Sequence, residues 1–206
     1  MVALRPPRWL VPRLLRPALW VVCVAPLGLL VADAVRGGLG ANPIQEATHR
    51  TGRWALILLL ATLAVTPVRR LTGWNELIRL RRPLGLFAFF YATLHFLVYI
   101  AIDQFFAFGD ILADIAKRPY ITAGFAAFVL LVPLAATSTR AAVRRLGRRW
   151  QALHRLVYVS AALGVLHFLW LVKAPAIRRP LTYGAVLALL LLLRLPVGRR
   201  RAGRAR

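Results

Sequence analysis

Cysteine is almost missing from this 206-residue chain. Its single thiol, Cys23, excludes an internal disulfide and any CxxC metal-binding pair. Acid is scarce as well: six Asp and Glu residues stand against 29 Lys and Arg, for a formal charge of +23, while 60% of residues are hydrophobic. A soluble domain of that composition would expose large apolar patches and aggregate. There is no Gly-rich dinucleotide-binding loop, and no internal repeat or low-complexity segment apart from the basic tail Arg199–Arg206. A basic face interleaved with aromatics, as nucleic-acid readers carry, is also missing, so no nucleic-acid partner is expected.

What the chain does have is long uncharged apolar runs separated by arginine clusters, the pattern of a multispan membrane protein. The runs predict an all-α membrane protein, a six-transmembrane-helix bundle in a single domain over 1–206, with spans near 17–35, 52–67, 83–102, 119–137, 150–172 and 181–195. The second and sixth runs are short for a hydrocarbon core of about 30 Å. The second extends backward, because Asn42-Pro43 with Gln45 reads as a helix start and puts Glu46, His49 and Arg50 in the first turns. Ala32-Asp33-Ala34, behind a basic N-terminus, also resembles a signal-peptidase site; the length of the first run favours an uncleaved first helix.

Basic residues set the orientation. Arg5, Arg8, Arg13 and Arg16 precede the first run, five arginines fill 66–82, five fill 138–149, and six lie from Arg194 onward. The positive-inside rule therefore places both termini in the cytoplasm. Asp33, Glu46, Asp103, Asp110 and Asp114 then fall on the outer side. Trp54, Trp74, Trp150 and Trp170 fit an interfacial aromatic belt.

Of only four histidines, three lie in apolar runs: His95 in the third, His154 and His167 in the fifth. At a rise of 1.5 Å per residue, His95 lies about 18 Å above Pro83 and His167 about 25 Å above Trp150, which puts both in the outer half of the bilayer. His154, four residues past Trp150, belongs near the inner surface. Buried polar groups in a membrane are functional-site candidates by default, although a lone imidazole also serves as an interhelical hydrogen-bonding group. Two imidazoles at matching depth on two helices suit axial ligation of a b-type haem, and zinc lacks further ligands there. His154 and His167 are about 20 Å apart along an ideal helix and roughly 140° apart around it, so they cannot share one iron. Gly164, one turn before His167, would admit a flat porphyrin or simply a neighbouring helix. Arg81 is fourteen residues before His95 on nearly the same face, where a partner for His154 would sit. A guanidinium is no iron ligand, but it can pair with a haem propionate or a flavin phosphate; equally, it belongs to the inner basic cluster. His49, at the outer start of the second helix, reads as a further ligand or contact, or as a plain rim histidine.

The stretches "NPIQEATHRTGRWAL", "LIRLRRPLGLFAFFYATLHF", "KRPYITAG", "TSTRAAVRRLGRRWQALHRLVYV" and "LHFLWLVK" resemble, in order and spacing, the MsrQ (YedZ) family. These are the haem-binding membrane subunits of bacterial periplasmic methionine-sulfoxide reductase systems, within the ferric-reductase-like transmembrane superfamily that also holds NADPH oxidases. The resemblance runs from about Pro43 to Leu195. It implies an inner-membrane protein with one or two b-type haems and FMN. Electrons from a cytoplasmic flavin reductase or the quinone pool would pass to the periplasmic molybdopterin enzyme MsrP, which carries the methionine-sulfoxide chemistry, so no catalytic residue is expected here. By position, His95, His154 and His167 match the family's haem-associated histidines, and His49 matches the histidine of its HxTG segment. Arg81 stands where oxidase relatives carry an inner histidine. The implied arrangement is one haem between His95 and His167, with a second near His154. Two alternatives remain: a stand-alone haem ferric reductase or cytochrome-b561-like quinol oxidoreductase, and a haem-free transporter or scaffold with buried histidines.

Overall fold

The structure is a computed structural model describing residues 10–195. The expected basic residues Arg5 and Arg8 and the tail Arg199–Arg206 lie outside the described residues. Among the described residues the chain is all helix: α1 Arg16–Val35, α2 Pro43–Thr72, α3 Arg81–Leu97, α4 Phe108–Lys117, α5 Pro119–Ala136, α6 Arg140–Leu146, α7 Arg148–His154, α8 Leu156–Leu171 and α9 Arg178–Leu192. Five helical stretches are long and apolar enough to cross a membrane: Arg13–Val35, Pro43–Thr72, Asn75–Asp103, Pro119–Ala136 and Arg148–Leu171. The sixth apolar run, expected over 181–195, forms α9. Its 15 residues reach about 22 Å, short of the hydrocarbon thickness.

Local chemistry explains the boundaries. Asn42 caps α2 by accepting from the backbone N–H of Gln45 at 3.1 Å, with Pro43 in the first turn, so the backward extension read from the sequence is present. Gly73, at φ 70°, ends α2 in the left-handed conformation that favours glycine. The third stretch closes with a π-helical turn over Val98–Asp103. After it Phe105 and Phe106 take φ of 47° and 60°, unusual for bulky side chains, and reverse the chain into α4. The fifth run is not one straight helix. It is interrupted by a turn at Arg155, itself at φ −69° and ψ −22°, between α7 and α8.

Helices α2 and α3 pack as one antiparallel pair and α5 and α8 as another. The core between them includes Leu59, Leu63, Leu84, Ala88, Tyr91, Leu131 and Ala161, all buried. Helices α1 and α9 cover this core with one face and turn the other outward. Trp20, Val22, Leu29 and Val31 of α1 and Leu181, Leu189 and Leu192 of α9 are exposed. Such a belt is unfavourable in water and suits acyl chains.

Few polar side chains enter the core; Tyr91 and Ser160 bond backbone carbonyls, whereas the buried Thr66 hydroxyl has no partner among the described residues. The Tyr91 hydroxyl donates to the Cys23 carbonyl at 2.7 Å, in the turn that Pro26 loosens in α1, and the Ser160 hydroxyl donates to the Ala127 carbonyl at 2.9 Å. At the start of α2, Arg50 bridges Glu46, at 2.8 Å, and Asp33 at the end of α1. At the opposite end, Pro67 cannot donate to the Leu63 carbonyl four residues earlier, and Arg194 fills the gap with a guanidinium N–H at 2.5 Å. Arg194 also donates to the Tyr158 hydroxyl and lies 5.1 Å from that ring, so one side chain ties α9 to α2 and α8.

Replacing Arg194 by Met should therefore lower stability by about 1–3 kcal/mol, the cost of stranding a buried acceptor. In a Pro67→Ala background the penalty should shrink, because residue 67 then donates to Leu63 itself. Reversible unfolding of the detergent-purified variants measures both; equal penalties in the two backgrounds would exclude this role for Arg194.

Candidate functional site

The four-helix core is built by one device used twice. On α2, the Thr48 carbonyl bonds His95 Nδ1 of α3 at 2.9 Å; on α5, the Tyr120 carbonyl bonds His167 Nδ1 of α8 at 2.7 Å. In both pairs the histidine follows its acceptor by 47 residues. Each acceptor is followed four residues later by a glycine, Gly52 or Gly124, against which the imidazole rests. A Cβ at Gly52 would lie 2.9 Å from His95 Nδ1, and one at Gly124 would lie 2.7 Å from His167 Nδ1, both closer than atoms can approach. A helical side chain covers the turn before it, so a glycine at i+4 uncovers the carbonyl of residue i to a lateral donor. No internal repeat stands out in the sequence. In three dimensions the spacing Thr48–Gly52–His95 recurs as Tyr120–Gly124–His167, with the intervening residues too divergent for the repeat to register.

The two imidazoles face each other across the bundle with ring centroids 6.0 Å apart and planes at 76°. A backbone carbonyl can only accept, so both Nδ1 atoms carry the proton and Nε2 keeps its lone pair. Neither Nε2 has a hydrogen-bond partner among the described residues. Two metal–nitrogen bonds of about 2 Å each plus the half-widths of the rings span roughly 6 Å, which matches the separation of the ring centroids. No third His, Cys or carboxylate joins them among the described residues, which leaves the other coordination positions to a non-protein group.

A cavity of about 430 Å³ surrounds the pair, a volume in the range of cofactor sites. Leu56, Leu59, Phe96, Phe125, Phe128 and Phe168 form its apolar walls, and Gly164 lines it as a gap between side chains. Phe128 extends the wall by stacking on Phe89 at 5.9 Å with nearly parallel rings. The mouth, at the end where α2 and α5 begin, carries His49, Arg53, Asp103, Arg118 and Arg179. Helix α4 closes part of it. Ile115 lines the cavity, while Asp114 accepts from the Tyr99 hydroxyl at 3.2 Å and pairs with Arg118 at 3.2 Å.

Of the residues singled out from the sequence, His95 and His167 meet, and His49 lies exposed at the mouth of their cavity. His154 and Arg81 are elsewhere, within electrostatic reach of each other at the opposite end of the bundle. His154 Nε2 lies 3.0 Å from the Thr137 hydroxyl, and its ring stacks on Trp150 at 3.9 Å. The Thr137 hydroxyl donates its own proton to the Pro133 carbonyl, so His154 is the donor and its lone pair sits on Nδ1, the reverse of the other two histidines. Trp150 donates to the Thr137 carbonyl at 3.0 Å and so joins this cluster. Sequence reasoning missed Thr48, Gly52, Tyr120 and Gly124. The one signal for them is the shared spacing from glycine to histidine, 43 residues in both halves.

An apolar helical bundle with two facing imidazoles is the arrangement of membrane proteins that carry an axially ligated metallo-cofactor. Comparison with known proteins gives the particular group. Residues 51–165 match the family described as ferric reductase like transmembrane component, which includes both glycines and His95 but stops two residues short of His167. The protein-methionine-sulfoxide reductase heme-binding subunit MsrQ of Rhodospirillum rubrum is 58% identical over 196 residues, covering 94% of each chain. The subunit of the same name from Herminiimonas arsenicoxydans is 52% identical over 88% of this chain and 84% of its own, and that from Ralstonia nicotianae 57% identical over 80% and 76%. The chain belongs to the MsrQ group of the ferric-reductase-like transmembrane family. No solved structure matches it.

Alanine is normally the better helix residue by about 1 kcal/mol. At positions 52 and 124 the sign should reverse, since the added methyl displaces an imidazole from its carbonyl. Thermal unfolding in detergent should place Gly52→Ala and Gly124→Ala below the parent. Gly28→Ala in α1, where a Cβ meets nothing within 4 Å, should sit at or above it. A destabilised Gly28→Ala beside an unaffected Gly124→Ala would refute the close approach of imidazole to backbone.

Proposed function

We propose that the chain is a b-type haem electron-transfer subunit of the bacterial inner membrane, with His95 and His167 as the axial ligands of one haem. The single observation that carries this reading is the imidazole pair, 6.0 Å apart, with both Nδ1 protons committed to backbone and both Nε2 atoms unpartnered. Haem supplies reversible one-electron chemistry at iron. The protein's part is to hold the ligand nitrogens at one depth, fix their tautomer through Thr48 and Tyr120, and keep water out with the phenylalanine walls. The names of the relatives, heme-binding subunits of protein-methionine-sulfoxide reductase, support this cofactor and system.

Five long helices plus α9 make six crossings, α9 spanning by local thinning or through its flanking residues. Both termini then lie in the cytoplasm, since 66–82 and 138–149 gather ten arginines at one end of the bundle. The His95–His167 cavity opens toward the periplasm, and its acceptor is the periplasmic molybdopterin methionine-sulfoxide reductase MsrP. Electrons enter from the arginine-rich cytoplasmic side, from a flavin reductase or the quinone pool. His154, with Arg81 beside it, marks where a second, inner haem would be held, with Nε2 released from Thr137 or ligation through Nδ1. His49 contributes to the periplasmic mouth.

Absorption spectra of the detergent-purified protein, oxidised and dithionite-reduced, test the reading. The wild type should show a six-coordinate b-type haem. His95→Ala and His167→Ala should each lose most of it, and His154→Ala should lose less. A colourless wild type would eliminate the haem reading in favour of a haem-free scaffold; full haem in both His95→Ala and His167→Ala would eliminate the ligand pair.

A further inference from the structure

The cavity holding His95 and His167 is apolar along its walls and cationic at its mouth. Its lining includes three guanidinium groups, those of Arg53, Arg118 and Arg179, against one carboxylate, Asp103. Arg118 is already engaged, paired with Asp114 at 3.2 Å and donating to the Tyr120 hydroxyl at 3.4 Å. Arg53 and Arg179 make no ion pair among the described residues. They reach the cavity from different helices: Arg53 follows Gly52, on whose backbone His95 rests, and Arg179 is in the first turn of α9. Arg53 and Arg179 are exposed, and their place on two helices at the edge of one apolar cavity suits a ligand with an apolar body and an anionic edge.

Two axial imidazoles define an axis but not the rotation of a macrocycle about it, because turning the plane leaves both metal–nitrogen bonds unchanged. A haem b is apolar except for two propionates on one edge, so the protein must supply the element that selects the rotation. We infer that Arg53 and Arg179 receive the two haem propionates, so that the carboxylate edge faces the mouth of the cavity and the apolar edge lies among Leu59, Phe128 and Leu131. This rests on the proposed haem ligation by His95 and His167. The guanidinium fork matches a carboxylate in two parallel hydrogen bonds, and charge-assisted bonds of this kind are about twice as strong as neutral ones. At the rim of a low-dielectric cavity the arginines also compensate two negative charges close to the metal. Removing them leaves that charge to favour ferric over ferrous iron. Arg81, expected beside an inner haem near His154, does not border this cavity.

The test compares haem b with its dimethyl ester, whose propionates carry no charge, in the purified full chain stripped of haem and reconstituted. The wild type should take up haem b more tightly than the ester by about ten-fold or more, the worth of charge-assisted bonds at a partly buried site. In Arg53→Gln/Arg179→Gln that ratio should fall to near one and the midpoint potential of haem b should drop below the wild type. Arg53→Lys and Arg179→Lys, which keep the charge but lose the fork, should fall between. They also preserve the test if the double variant misfolds. Arg144→Gln, in α6, should match the wild type in both readouts. Unchanged ester discrimination and an unchanged potential in the Gln and Lys variants would overturn the assignment while leaving the histidine ligation intact. A wild type that takes up neither porphyrin would mean instead that the haem reading itself has failed.

Discussion

Two backbone carbonyls, those of Thr48 and Tyr120, hold the centre of this bundle together. Each belongs to a helix already satisfied along its own axis, and each uses its second lone pair to take an imidazole proton from the neighbouring helix. That arrangement demands glycine one turn further on, because any side chain there would cover the carbonyl and fill the space of the ring. It therefore fixes which faces of α2 and α3, and of α5 and α8, can pack together. In hydrocarbon the bond is worth only about 1 kcal/mol of association. Its larger consequence is chemical: by holding the proton on Nδ1 it leaves Nε2 of both rings as the lone-pair nitrogen, pointed into one cavity. Helix pairing and ligand preparation are thus one contact.

The core repeats that contact in its two halves, yet the two ends of the bundle differ. At the Pro43 end, the motif ties α2 to α3 and α5 to α8 around the cavity, and α4 braces its rim through Asp114 with Tyr99 and Arg118. At the Thr72 end His154 is held by Thr137 and Trp150. There, proline breaks the backbone pattern, and Arg194 repairs it at the Leu63 carbonyl freed by Pro67. One end is organised to leave two nitrogen lone pairs free; the other buries Thr66 Oγ1, Arg69 Nε and Trp74 Nε1 without hydrogen-bond partners among the described residues.

Much of the bundle is legible in the sequence. Apolar runs bounded by arginines mark the five long helices, and Asn42-Pro43 marks the backward extension of α2, because solvent transfer and capping are local properties of sequence. The pairing of His95 with His167 follows from depth alone, since rise per residue is nearly constant along a helix. What depth does not show is rotation about the helix axis. The turn at Arg155 and the π-turn after Leu97 are local departures from the regular helix that apolar periodicity does not announce. The glycine cradles are hidden for another reason. Gly52 and Gly124 look like ordinary membrane-helix glycines, and only their equal spacing to a histidine, visible once the contacts are known, separates them from Gly28 or Gly85.

The histidines finally divide by tautomer rather than by burial. His95 and His167 give their Nδ1 proton to backbone, which is rigid and has no proton to offer in return, so Nε2 remains the lone-pair atom of each ring. His154 gives its Nε2 proton to a hydroxyl that has already spent its own on Pro133, and it lies flat on Trp150 at 3.9 Å. A threonine rotor is a far softer constraint than a helix carbonyl, since it can turn away at the cost of one hydrogen bond of about 1 kcal/mol. The His95–His167 pair is therefore set by the main chain for one state, whereas His154 is held by a contact that can be exchanged at small cost. The two kinds of histidine thus stand at opposite ends of the bundle, one fixed by backbone and one held by a side chain that can turn away.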